Sequence, residues 1–503
     1  MNGRHGSGYE LRTSTTMRTA AALSLALALG LASCAGNESS SPTTTGSTST
    51  TSGPPWTPVA DQPLADAPLL TATDGMLEVD LRTAMESIDV SGAQIQAMGY
   101  NGMINGPTLA LAPGDKLRVT LDNATKEPTN IHYHGLHVSP SGDGDNVMRH
   151  FDPGSTNVSE ITIPDDHDTG LFWYHAHMHA LTDQQVYSGM RGLIVIGDLV
   201  GTHLPPEYAD ITERLLAVND GYDQGGVMAD KANAMTDATI MVNGLATPTW
   251  DIAPGETQLW RFANTGSDLF YQLALDGHRF WIVAEDGSPV WRVTEADTVF
   301  LPPGKRMEVL VQGGAPGTHT LVSQAIQVGP GSGNAQPEVK VATVEVAGDP
   351  VTPLAVPTEL RGPRTEDLST AEVAERREFV FTMQATGTEF AFINGEPFDP
   401  DRIDVEPKLG TVEEWVLKNP DTGESTTSAD HPFHIHVNDF QVMSIDGKPY
   451  EANGLQDIVV IPSGSEVVIR QRFADFTGEF VFHCHILPHE DGGMMQTVNV
   501  VEG

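Results

Sequence analysis

Cysteine is nearly absent: the 503 residues contain two, Cys34 and Cys484. A disulfide framework is therefore excluded, and Cys484 needs another purpose. Basic residues are scarce as well, 27 Lys and Arg against 67 Asp and Glu, for a formal charge of −40. Such acidity repels phosphates and anionic membrane surfaces, which argues against nucleic acid as a partner and reads most simply as solubility or a salty habitat. Long helical periodicity is missing, and so is any apolar run of membrane-spanning length. The longest run worth reading, Ala20 to Ser33, is too short to cross a bilayer.

That run follows Arg12 and Arg18 and ends Leu31-Ala32-Ser33-Cys34, which suits a secretory signal with a small-residue cleavage pattern. It resembles the lipobox of bacterial lipoproteins, so residues 1–33 read as a signal peptide and Cys34 as the lipid-bearing first mature residue, with Met17 as an alternative start. Removing Arg4, Arg12 and Arg18 together with Glu10 takes away a net +2 and leaves −42. Residues 34–55, rich in Ser and Thr and without large apolar side chains, read as a flexible tether. The body then sits outside the cytoplasm, on the membrane only through Cys34, or is secreted if unlipidated.

In the body, short β-branched and aromatic runs alternate with Gly, Pro, Asn and Asp clusters, the pattern of an all-β chain of sandwiches. An internal repeat divides it. Met103-Ile104-Asn105-Gly106 precedes LALAPGDKLRVTLDN, Met241-Val242-Asn243-Gly244 precedes WDIAPGETQLWRFAN, and Phe392-Ile393-Asn394-Gly395 precedes IDVEPKLGTVEEWVLKN. Closing strands recur as TGLFWYHAH, PGTHTLVSQ and TGEFVFHCH, so three units are expected over 56–200, 201–350 and 365–503.

Histidines cluster in the first and third units as four alternating pairs: His132-Tyr133-His134, His175-Ala176-His177, His434-Ile435-His436 and His483-Cys484-His485. On a strand, alternation puts both imidazoles of a pair on one face. One pair could be satisfied core histidines; four in matched repeat positions are not explained that way. Eight converging imidazoles suit copper or zinc, not magnesium or calcium, and exceed what one ion needs. Cys484 lies between two of them and so faces the other side of its strand, toward a second kind of site. His431, His489 and Met494 are close enough in sequence to join it. Two histidines, a thiolate and a weak thioether describe a blue-copper electron-transfer site rather than a zinc site.

The motifs HYHG, WYHAH, HPFHIH and HCHILPHEDGGM resemble those of the multicopper oxidase family, across the whole body. The resemblance implies three consecutive cupredoxin-like Greek-key β-sandwich domains and four coppers. His132 and His434 would hold type 2; His134, His175, His177, His436, His483 and His485 the type 3 pair; His431, Cys484, His489 and axial Met494 type 1, with Met495 as the competitor that spacing disfavours. It further implies dioxygen as the partner that is reduced to water. Four protons must then be supplied, and Glu490 and Asp143 match acidic positions of bacterial relatives. His137, His150 and His179 are left as supporting or surface residues.

Tyr133 stands where many members have tryptophan, Asp439 follows the third motif, and no methionine-rich insert is present, which weakens a Cu(I) oxidase reading. A phenol or similar aromatic is the expected reductant, giving up electrons at the edge of His431 or His489. A metal ion, Fe(II), Mn(II) or Cu(I), held by Asp439, Asp457 or Asp491, is the alternative. A nitrite reductase would need neither the four pairs nor a type 3 site, and a non-enzymatic copper-binding lipoprotein would lack ligands that are all present here.

Overall fold

The computed structural model describes residues 55–228, 238–330, 335–384, 389–420 and 428–503. The signal, lipidation and tether expectations for residues 1–54 lie outside these. The described chain folds into three consecutive pairs of β-sheets. The first pairs a four-stranded sheet (Met76–Val90, Ala93–Tyr100, Lys116–Asn123, Thr156–Thr162) with a five-stranded one carrying His132–His134 and Gly170–His175. The second pairs seven strands with five, and the third six with four, the last including His431–Ile435, Gly478–Cys484 and Met495–Val500. Each pair encloses its own apolar core. Leu117, Val119 and Leu121 alternate into the first, Trp260 and Phe262 into the second, and Trp415 and Phe433 meet in the third.

The internal repeat has a structural meaning. In every unit, a long strand ahead of the repeated segment pairs in parallel with the second strand of that segment: Met76–Val90 with Lys116–Asn123, Thr212–Gly221 with Thr257–Asn264, and Val373–Met383 with Val412–Asn419. Each second strand ends on a buried asparagine, Asn123, Asn264 or Asn419, whose amide donates to two backbone carbonyls and so ties the strand end to distant chain. The turns need left-handed backbone, which Asn and Gly tolerate. Asn243 and Asn394 adopt it at φ 54° and 56°, but in the first unit the equivalent is Asn101 at φ 55°, not Asn105. The Asn101 side chain accepts from Arg82 N as Asn243 does from Ala217 N and Asn394 from Val380 N, so the sequence repeat is offset by four residues in the first unit.

All three units meet at a buried clasp. Arg306 of the second unit donates to both carboxylate oxygens of Asp457 of the third, at 2.7 and 2.5 Å, and to Leu171 O of the first at 3.2 Å. Asp286 completes the junction, accepting from Lys305 Nζ at 2.8 Å and from the Asp457 and Ile458 amides. Gly135 of the HYHG motif is obligatory here: it sits at φ 81°, and a Cβ would lie 2.3 Å from Arg306 Nη2 and 2.5 Å from Asp457 Oδ2. Removing one partner of a buried pair strands the other charge, so Arg306→Met should lower the stability of the copper-free protein by about 3–5 kcal/mol in guanidinium unfolding. A variant as stable as the parent would show that the clasp does not hold the units.

Candidate metal centre

Strand register places the histidines. In the first unit His132 lies opposite His175, and Tyr133 opposite Tyr174. In the third, His434 lies opposite His483, and Phe433 opposite Cys484. Because neighbouring residues point to opposite faces, His483 and His434 turn toward the first unit while Cys484 turns into the apolar core of its own. All eight paired imidazoles are buried.

They converge. His483 Nε2 is 3.2 Å from His177 Nε2 and 3.3 Å from His436 Nε2, and His485 Nε2 is 3.3 Å from His134 Nδ1. His134 presents Nδ1 because its Nε2 faces Asp457 Oδ1 at 3.4 Å. The Nδ1 atoms of His132, His175 and His434 are engaged by the Asp145 carboxylate, Ala176 O and Asp457 O, while their Nε2 atoms are buried without a partner. Burial, and then the neighbouring imidazoles, hold His132, His134, His434, His436 and His485 well below the usual histidine range; burial likewise takes His175 down to about 3 and His177 to about 4. Neutral imidazoles with inward, unpartnered nitrogens and outward nitrogens fixed by oxygen acceptors are a metal-ligand arrangement.

The second group is separate. Cys484 Sγ lies 3.5 Å from His431 Nδ1 and 3.7 Å from His489 Nδ1. Met494 is fully buried in the core that holds Cys484, and its carbonyl accepts from Cys484 N. Met495 instead lies opposite His483 in the sheet, on the imidazole side. Burial pushes the Cys484 thiol far up and His489 down to about 4, so without a cation the group is neutral, and a thiolate there requires a metal. The two groups are joined by covalent bonds through Cys484, and the Cys484 carbonyl also meets His483 Nδ1 at 3.1 Å.

The expected carboxylates part company. Glu490 is buried against the imidazole cluster, with Oε2 3.1 Å from His483 Nδ1 and Oε1 3.5 Å from His177 Nδ1. Asp143 is not brought to the cluster: its side chain is 70% exposed and paired with Arg149 at 2.9 Å. Asp145, two residues on in the same loop, is the group that meets His132 Nδ1 at 2.9 Å, and burial pushes its carboxyl up to about 7. Nor do the carboxylates expected around the cysteine group gather there. Asp457 is at the clasp, Asp439 has Asp457 and Arg306 as charged neighbours, and Asp491 accepts from the amides of Thr182 and Asp183. His137 bonds to Val437 O, His179 packs on Phe398, and His150 is exposed. One positioning group gave no sequence signal, Asn130, whose amide grips both backbone groups of His177; Trp173, which opens the WYHAH motif, stacks 4.2 Å from His175.

Three family models, each described as multicopper oxidase, match residues 82–200, 173–346 and 371–503. The chain belongs to the multicopper oxidase family. A multicopper oxidase of Staphylococcus haemolyticus is 28% identical over 418 residues, spanning 80% of this chain and 83% of its own. The bilirubin oxidase of Albifimbria verrucaria is 26% identical, over 84% and 76% of the two chains. The solved multicopper oxidase of Campylobacter jejuni, described as a metallo-oxidase, matches with a TM-score of 0.75 at 25% identity, covering 88% of this chain and 96% of its own. The protein is thus a copper-using oxidoreductase that passes electrons from a reducing substrate to dioxygen, in cupredoxin-like sandwiches.

Outer partners of metal-bound histidines typically carry ten- to hundredfold effects. Asp145→Asn should therefore lower oxygen uptake about ten- to hundredfold, whereas Asp143→Asn should leave it near the parent value. The reverse ranking would reinstate Asp143.

Proposed function

We propose that the protein is a laccase-like oxidase that takes single electrons from a phenolic or similar aromatic donor and reduces dioxygen to water with four coppers. His431, Cys484 and His489 would hold type 1, with Met494 as the weak axial group; His132 and His434 type 2; His134, His175 and His485 one type 3 ion, and His177, His436 and His483 the other. The observation that carries this reading is His483-Cys484-His485, one strand end that offers a thiolate to one group and two imidazoles to the other. Copper, when bound, supplies one-electron redox chemistry. The chain supplies the bonded route through Cys484, fixes the outward nitrogens of His132, His175 and His434 on oxygen acceptors, and keeps Asp145 and Glu490 against the cluster for proton transfer. Cys484→Ser should abolish both the blue absorption and oxygen uptake while the fold is retained.

The half-buried rim of the type 1 group supports an aromatic donor. The Phe390 ring lies 6.3 Å from the His489 ring, and Phe398 lies 4.8 Å from that of His179. Losing one aromatic contact of about 0.5–1.5 kcal/mol predicts that Phe390→Ala raises KM for a phenol about two- to tenfold, with the blue band unchanged. A metal-ion reductant is the second reading, favoured by the description of the Campylobacter jejuni relative and by the charge of Glu389 acting on His179. Oxygen uptake by the copper-loaded protein on a phenol, bilirubin, Fe(II), Mn(II) and Cu(I) decides between them: a metal ion outpacing every organic donor overturns the first. The membrane anchor at Cys34 stays part of the proposal, tested by palmitate labelling of the full chain and of Cys34→Ala.

A further inference from the structure

A cavity of about 760 Å³ opens between the first and third units and the segment that joins the second to the third. Asp165, Asp166, Asp168 and Asp475 line it, and Asp439 and Gly135 also belong to its wall. Gly135 abuts Asp457 and Arg306, so the cavity reaches the clasp behind His134 and His434. From the second unit, the buried Ser288 hydroxyl reaches between two of these carboxylates, 2.6 Å from Asp168 Oδ2 and 3.5 Å from Asp439 Oδ2. None of these groups belongs to the metal ligands or to the carboxylates that touch them on the Asp145 and Glu490 sides.

We propose that this cavity is a proton-loading vestibule for oxygen reduction, in which Asp168, Ser288 and Asp439 conduct protons from bulk water toward the Asp457 side of the imidazole cluster. Reduction of one dioxygen to two waters consumes four electrons, delivered by the reductant through Cys484, and four protons, delivered from water. At each step one O–H bond breaks at the donor and one forms at the acceptor, with the serine hydroxyl giving up one proton as it takes another. The three are positioning residues, acting on oxygen through groups nearer the cluster.

The electrostatics fit. Burial raises Asp439 well above the carboxylate range; Asp457, Asp168 and Asp286 add to this, and Arg306 opposes it. Burial also raises Asp168, opposed by the Ser288 bond and by His203 and His137, and assisted by Asp166. Both therefore keep a proton at higher pH than exposed aspartates do.

The proposal rests on oxygen reduction and not on the phenol reading, so the test uses saturating ferrocenemethanol, which loses an electron but no proton. In the copper-loaded full chain, Ser288→Ala, Asp168→Asn and Asp439→Asn should each lower kcat roughly tenfold or more. The loss should deepen as pH rises and the solvent isotope effect should increase, while copper content, the blue band and its anaerobic bleaching stay at parent values. Asp439→Glu should recover part of the rate. Parent-like kcat, pH profile and isotope effect in both Ser288→Ala and Asp168→Asn overturn the proposal, even if Asp439→Asn loses copper or fails to fold. A uniform loss of rate with unchanged pH profile and isotope effect overturns it too, since that is what a merely structural role would produce.

Discussion

Everything at the centre of this molecule depends on bringing two sandwiches that are distant in sequence into fixed register, and the Arg306–Asp457 pair is a buried contact at which all three units meet. A guanidinium from the middle unit holds a carboxylate of the third unit with two parallel hydrogen bonds and a carbonyl of the first with another. Buried ion pairs add little net stability against apolar replacements, because desolvation offsets most of the attraction. Their geometry is what matters: a bidentate fork admits one orientation. Asp457 then turns that orientation toward the cluster, since its Oδ1 faces His134 Nε2 and its carbonyl meets His434 Nδ1. The middle unit, which has no histidine pair, thereby sets the positions of ligands in both of its neighbours.

Burial on this scale has a second consequence. Burial holds seven of the cluster imidazoles, His132, His134, His175, His177, His434, His436 and His485, below the usual histidine range, so a cation stabilises the cluster where protons would disrupt it. The stacked pairs His132 with His436 at 3.8 Å and His134 with His434 at 3.9 Å each join a ligand of the first unit to one of the third. Metal held by these histidines would therefore reinforce the docking that the clasp already provides. A structural metal site within a single sandwich would not couple them in this way.

Much of this was legible in the sequence because a strand has a period of two. His-x-His is unambiguous once the segment is a strand, and placing Cys484 between two histidines assigns opposite faces without any tertiary information. Reading failed where no period exists. The loop Gly142-Asp143-Gly144-Asp145 offers two carboxylates, and which one turns inward depends on loop conformation, so matching by position chose Asp143 where Asp145 is buried. The repeat was visible but its first turn was set four residues late, because Asn101-Gly102 and Asn105-Gly106 are chemically alike and only backbone φ separates them. Arg306, Asn130 and Ser288 act on groups far away along the chain, and nothing local marks them.

The acidity of the chain also acquires a location. Phe390 lies against His489 of the cysteine group, whereas Asp165, Asp166, Asp168 and Asp475 line the cavity that reaches the clasp. A reaction that consumes electrons and protons in equal number gains from keeping their routes apart, because a proton donor placed against a redox metal held by the cysteine group would tie its potential to pH. Bonds through Cys484 would carry electrons between the sites without water, and carboxylates with a hydroxyl between them would carry protons where water can reach. On the proposed reading the covalent link would serve the first need and the acidic cavity the second, so the three sandwiches would separate two currents that meet only at the imidazole cluster.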